Sequence, residues 1–412
     1  MSGSTIGAQT PGGSSDSGSA GTTGPMIKRS GGSSNSAMIL MGVVIIVLLV
    51  VVAGFYAGWF KGPSHATTGA GGCPLPAISD LTGTGSTLVA PLMDQWETSY
   101  WGGTVVNYNA LGSSAGITAI TGKTVDFGAS DAPLDPAQQT SAAGVLTIPE
   151  SAGGVVPIYN LPGVGELNFN GTVLAEIFDG AIMNWNNTPL QALNPHTTLP
   201  NVAITPVHRS DGSGTTFIFM SFLTADDKTW AKTYGKSTAW PTNISGIGEA
   251  HNSGVAAYVV ENDDTIGYVD LNYALNAGSG IGIGTVQNPH GNYIYATVAD
   301  TASALVDADP TLPSGSSSWY DVSVLNAPGA GDYPITSLTY VLVYQNLSIA
   351  YSSATLTHAE NLVDFLHWIL TTGQSYSADL YFVPLPASII AHDNTTIASM
   401  TFDGGSIPVC VP

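Results

Sequence analysis

The run AMILMGVVIIVLLVVVAGFYAGWF, residues 37–60, constrains this chain more than any other feature. It holds 24 residues without a charge, and about 20 suffice to cross a bilayer. A cleaved export signal carries a shorter apolar region, about 7–15 residues, with a small-x-small site close behind. The run is therefore expected to be an uncleaved transmembrane helix. Lys28 and Arg29 precede it and Trp59 sits near its far end, which puts the short side inside the cell and residues 61–412 outside. Residues 1–36 are rich in Gly, Ser and Thr and are expected to be a disordered cytoplasmic tail. Residues 61–76, with KGPSHATTGAGG, read as a linker.

Two cysteines, Cys73 and Cys410, stand at the two ends of the outer portion. Termini of compact domains often meet, and an extracellular medium permits a disulfide. A bridge between them is expected, stabilising by at most about 5 kcal/mol on the loop-entropy model.

Charge narrows the function. The chain has 8 Lys+Arg against 29 Asp+Glu, a net charge of −21, and only 9% charged residues. An average soluble protein carries about 25%. Nucleic-acid binding, which rests on clustered Lys and Arg, is excluded as a partner class. An acidic medium would neutralise most of these carboxylates.

Beyond the linker, short apolar runs alternate with helical patterns, as in an α/β fold. TVVNYNAL, AITPVH, TIGYVDL and LTYVLVYQ read as strands. PLMDQWETSYW and AENLVDFLHWIL carry apolar residues at three- and four-residue spacing and read as helices. PTLPSGSSSW reads as a loop.

Three Ser/Thr-Gly loops precede helical patterns: GTGST (83–87), LGSSAG (111–116) and DGSGTT (211–216). A fourth segment, VDFGASDAP (125–133), adds an acid. Small residues let backbone N–H groups approach a ligand, and a helix N-terminus adds partial positive charge. Together these describe a small-oxyanion site built mainly from dipoles. It needs one formal cation. The chain has two arginines, Arg29 in the tail and Arg209 beside the third loop, so Arg209 is the candidate.

A competing reading takes GSSAG as the G-x-S-x-G elbow of a hydrolase, with Ser114 as nucleophile. Its acid and base would be Asp364 and His367, which are scarcely separated in sequence. The eight histidines are scattered, without metal-ligand spacing, and no metal or cofactor is expected.

At these residues the chain resembles the substrate-binding protein of the phosphate-specific (Pst) ABC transporter. The resemblance runs through TGTGSTLVAPLMDQW, YNALGSSAGITAITGKTVDFGASDAPL, VHRSDGSGTTFIFMSFL, GEAHNSGVAAYV and ADLYFVPLP, over about residues 79–390. It implies a two-lobed, periplasmic-binding-protein-like (type II) clamshell behind the N-terminal transmembrane helix. One lobe would be 77–157 with 335–412, and the other 158–334. It implies a non-enzymatic function: capture of inorganic phosphate and delivery to permease and ATPase subunits. The implied phosphate ligands are Thr87, the backbone N–H of Leu88, Ser113 and Asp131 from the first lobe. Arg209, Ser213, the backbone of Gly214, and Thr215 come from the second, with Asp211 orienting the arginine. The family usually has Phe where this chain has Leu88; a backbone contact survives that change, an aromatic wall does not. Asp131 would accept a hydrogen bond from protonated phosphate, whereas sulfate offers no proton and leaves two acceptors face to face. Binding of another oxyanion, or a sensor role without a transporter, stays open.

Overall fold

A computed structural model describes residues 79–100, 104–308, 311–350 and 354–408. The expected tail, transmembrane helix and linker, and both cysteines, lie outside the described residues. Among the described residues no helix is long and apolar enough to cross a membrane.

The main strands, in chain order, are β1 (Leu81–Gly85), β2 (Val106–Ala110), β3 (Phe127–Ser130) and β4 (Val145–Asn160), followed by β5 (Thr205–Arg209), β6 (Ile247–Glu249), β7 (Thr265–Asp270) and β8 (Thr336–Tyr344). They form one sheet in the order β2-β1-β3-β8-β4-β7-β5-β6, with the short strand Gly282–Ile283 added on β4. Parallel pairs at each end, β2-β1-β3 and β7-β5-β6, come from strand–helix–strand crossovers. The centre is antiparallel. All four strands and both helices read from the sequence are present.

The helices that matter for function are α1 (Ala90–Ser99), α2 (Ser113–Thr121), α3 (Gly214–Asp226), α4 (His251–Glu261), α5 (Leu271–Asn276) and α6 (Leu356–Leu370). In α1 the apolar spacing buries Leu92, Met93 and Trp96, and the Trp96 indole donates to the Gly373 carbonyl at 2.8 Å. Thr355 caps α6 by accepting the His358 N–H at 3.1 Å. The Ser/Thr-Gly segments singled out above follow β1, β2 and β5, and each leads into a helix.

The strand β4 was not legible as one. It contains Pro149, Glu150, Gly153, Gly154 and Pro157, residues that punctuate rather than extend a strand. Yet all 16 residues are buried. It pairs with β8 over Val145–Gly154 and with β7 over Val155–Asn160, so one strand joins the two halves of the sheet. The register shifts once: Thr339 lies opposite Ser151 and Tyr340 opposite Pro149, which leaves Glu150 as the extra residue of a β-bulge.

A ring cluster fixes Tyr268 on β7. Phe219 stacks on it with centroids 4.3 Å apart, Trp240 lies at 5.8 Å, and Phe178 meets it edge-on at 5.7 Å. Its hydroxyl contacts Thr216 Oγ1 at 2.7 Å and accepts the Arg209 N–H at 3.3 Å. Aromatic packing is thereby tied to the end of β5 and the start of α3.

At the β2-β1-β3 end of the sheet α2 lies almost on the strands. A Cβ at Gly116 would stand 2.6 Å from the Ala129 carbonyl oxygen and 2.8 Å from the Gly85 Cα, all backbone. Gly116→Ala is therefore expected to destabilise the protein by about 1–3 kcal/mol through forced displacement of α2. Denaturant unfolding checks this, and an unchanged midpoint would mean that the helix has room to shift.

Candidate oxyanion site

The strand β1 ends at Gly85, whose φ of +145° and contact with the Ala129 carbonyl admit only glycine. It delivers Ser86, Thr87 and Leu88 to the N-terminal end of α1. Ser113 is the first residue of α2 and Asp131 directly follows β3. Arg209 ends β5, and Ser213 caps α3 by accepting the Thr216 N–H at 3.1 Å.

The loops after β2 and β5 touch. The Ser114 N–H donates to the Gly212 carbonyl at 3.0 Å. A Cβ on Gly214 would lie 2.4 Å from Asp131 Oδ2 and 2.5 Å from Ser113 Oγ, and one on Gly112 would lie 2.5 Å from Asp211 Oδ2. The glycines of these loops are thus what allows them to approach. Thr87 and Thr215 are joined through Asn252, whose Nδ2 donates to the two hydroxyls at 3.2 and 3.1 Å.

Arg209 is 1% exposed. Its Nε donates to Asp211 Oδ1 at 2.7 Å and its Nη2 to Asp211 Oδ2, a two-pronged pair. Nη1 points to Thr215 Oγ1 at 3.5 Å. Asp211 also accepts the His251 N–H at 3.0 Å. Burial pushes the Asp211 carboxyl up, but the hydrogen bonds and charge of Arg209 outweigh it and leave it below the usual range. With one side of the guanidinium held by Asp211, its Nη1 end is the part turned toward the Thr215 loop.

Asp131, 1% exposed, has two differently employed oxygens. Oδ1 accepts from Ser86 Oγ at 2.6 Å and from Thr339 Oγ1 at 2.9 Å. Oδ2, which has Ser113 Oγ at 3.3 Å, is the oxygen closest to Gly214 across the seam. Burial pushes this carboxyl above the usual carboxylate range, although hydrogen bonds from Ser86, Thr339 and Ser113 and the charge of Arg209 oppose the rise. Leu88 is 1% exposed and its N–H donates to Ser86 Oγ at 3.0 Å. Its side chain supplies core packing where an aromatic wall was absent from the sequence.

The predicted positions therefore converge. Several neighbours were missed: Ser86, Asn252, Thr339, and Tyr273 of α5, whose hydroxyl donates to the Thr87 carbonyl at 2.9 Å. Ser86 and Asn252 lie inside quoted segments, GTGST and GEAHNSGVAAYV, so an inventory of every hydroxyl and amide there would have found them. Asn252 opens α4 after His251 at φ +65°, and its buried Oδ1 has no partner among the described residues.

The hydrolase constellation is not assembled. Ser114 Oγ donates to Thr238 Oγ1 at 3.1 Å, while His367 is hydrogen-bonded to Asn394. Asp364 and His367 both belong to α6. Among the described residues no group of three or more His, Cys, Asp or Glu could hold a metal.

Chemically, the site offers one guanidinium, two carboxylates, a set of hydroxyls, and the N-terminal ends of α1, α2 and α3, whose dipoles favour negative charge. Such a set suits a small oxyanion that still carries a proton.

Comparison with known proteins agrees with this geometry. A PBP superfamily domain matches residues 63–372. The phosphate-binding protein PstS of Xylella fastidiosa is 36% identical over 317 residues, covering 75% of this chain and 82% of that protein. PstS of Haemophilus influenzae is 34% identical over 337 residues, covering 80% and 96%. The solved structure of a high affinity periplasmic phosphate-binding protein (PfluDING) bound with phosphate shares the fold, with a TM-score of 0.64 at 20% identity over 80% of this chain and 96% of that one. The two-lobed α/β chain belongs to the PBP superfamily and, within it, to the family of the PstS substrate-binding proteins.

Proposed function

We propose that this protein captures inorganic phosphate outside the cell and delivers it to the permease and ATPase of an ABC importer. The observation that carries the reading is the buried Arg209. Asp211 occupies one side of it, its Nη1 end turns toward Thr215, and helix starts from both lobes meet there. Thr87, the Leu88 N–H, Ser113 and Asp131 would bind from one lobe, and Arg209, Ser213, Gly214 and Thr215 from the other. The lobes, 77–157 with 335–412 and 158–334, would close on the anion. Residues 37–60 would keep the protein on the membrane while residues 61–412 face outward.

Selectivity would come from Asp131. Because Oδ1 is already taken by the Ser86 and Thr339 hydroxyls, Oδ2 is left to accept the proton of the phosphate. Fully deprotonated sulfate would place an oxygen against that acceptor with no hydrogen between them.

Arg209→Ala is expected to weaken phosphate binding by about 100-fold or more, since it removes a buried charged donor. Calorimetric titration measures this, with circular dichroism to show that the fold persists. Binding within about threefold of the parent would place the site elsewhere.

Asp131→Asn has a defined orientation. The two hydroxyls donating to the Oδ1 side favour the amide oxygen there, so the NH₂ faces the ligand. The penalty against sulfate is expected to shrink while phosphate affinity changes less. Paired titration with phosphate and sulfate at one pH and salt checks it; an unchanged affinity ratio would remove Asp131 as the selectivity element.

The flanking cysteines and the outward placement share a test. A membrane-impermeant maleimide applied to intact cells is expected to label Cys73 and Cys410 only after an impermeant reductant. Labelling without reduction argues against the bridge, and no labelling in either case argues against the outward placement.

A further inference from the structure

Behind Asp131 the site contains a second acid that meets no cation among the described residues. Glu150 is 0% exposed. It is the unpaired residue of the β4 bulge, and bulges re-aim side chains that a regular strand would place elsewhere. Its Oε1 lies 3.1 Å from Thr339 Oγ1, the same hydroxyl that lies 2.9 Å from Asp131 Oδ1. Among the described residues its Oε2 has no partner.

The hydrogens on this bridge can be counted. Thr339 has one hydroxyl hydrogen and stands between two carboxyl oxygens. It donates to one of them, and the other contact is a hydrogen bond only if that carboxyl carries a proton. Asp131 has other donors, Ser86 Oγ at 2.6 Å and Ser113 Oγ at 3.3 Å, and feels the charge of Arg209. Among the described residues the Glu150 carboxyl has Thr339 alone. The proton therefore belongs on Glu150, whose O–H donates to Thr339, while the Thr339 O–H donates to Asp131.

We infer that Glu150 is a positioning residue for the anion site: as a neutral acid it fixes the Thr339 hydroxyl on Asp131 Oδ1 and so leaves Oδ2 to receive the ligand's proton. The inference rests on Asp131 facing phosphate as proposed above. Loss of the Glu150 proton would reverse the bridge. The new carboxylate would compete for the Thr339 hydrogen and add a negative charge behind an anion-binding acid.

Burial pushes the Glu150 carboxyl up to about 8; the Thr339 hydrogen bond opposes this and the Asp131 charge adds to it. Other ionisable groups act on this pair from neighbouring elements. Tyr108 of β2 feels both acids, while Tyr273 of α5, Tyr340 of β8, Asp270 at the end of β7 and Arg209 interact with Asp131. The three phenols are raised by burial, so they stay neutral as Glu150 titrates. Asp270 is also raised, well above its ordinary value, and its titration would be common to parent and variant.

Glu150→Gln supplies the test, because its amide can donate to Thr339 at every pH. Phosphate Kd is measured by calorimetry for the parent and for Glu150→Gln between pH 6 and pH 9. Their ratio cancels the ligand's own titration and that of groups common to both. About one pH unit above its ionisation only a tenth of Glu150 stays neutral. The parent is therefore expected to match the variant near pH 6 and to bind more weakly by up to about tenfold at pH 9. A constant ratio, whether near one or showing a uniform loss in the variant, overturns the inference while leaving the phosphate reading intact. Failure of the parent to bind phosphate at any pH would overturn that reading instead. A second measurement does not depend on binding: the infrared carboxylic-acid C=O band of the parent at pH 6 is expected to lose one component in Glu150→Gln. An unchanged band would show that Glu150 carries no proton.

Discussion

A guanidinium that is 1% exposed governs the rest of this structure. Removing such a charge from water costs several kcal/mol unless it is paired and hydrogen-bonded. Asp211 meets that cost with a two-pronged contact, and the His251 amide in turn holds Asp211. The pair is close to neutral as a unit, so the protein holds a cation in its interior without a basic surface. The aromatic cluster around Tyr268 serves the same end, because the Tyr268 hydroxyl meets the Arg209 amide and Thr216 at the start of α3.

Around that pair the chain uses dipoles and protons rather than further charges. Helix starts and hydroxyls supply donors toward the seam. On the far side, Asp131 is held by Ser86 and Thr339 so that its two oxygens have different tasks. Glycines at 112, 212 and 214 are structural requirements of this closeness, since a Cβ at any of them would overlap atoms of the opposite loop. A chain with net charge −21 can in this way present an anion site whose surroundings are acidic.

The sequence made the local parts readable. Short loops of Gly, Ser and Thr before amphipathic helices have a local physical meaning, and the structure places each at a helix start. Arg209 stood out because the chain has so few arginines. What was not readable depends on pairing over distance. Thr339 reads as an ordinary polar residue on a strand, and Glu150 lies outside every strand and helix read from the sequence. They meet across 189 positions of sequence, and only because the β4–β8 register shifts at that point. Asn252 was hidden differently: its segment was noticed, but its side chain gains meaning only when Thr87 and Thr215, 128 positions apart in sequence, meet at it.

The central claim is that this site holds an oxyanion bearing a proton and rejects one without. Competitive calorimetric titration of the full-length protein with phosphate, arsenate and sulfate, at one pH and ionic strength, tests it most directly. Phosphate and arsenate, which retain a proton, are expected to bind comparably, and sulfate at least about 100-fold more weakly, the scale set by an unpaired buried acceptor. Sulfate binding as tightly as phosphate would contradict the account.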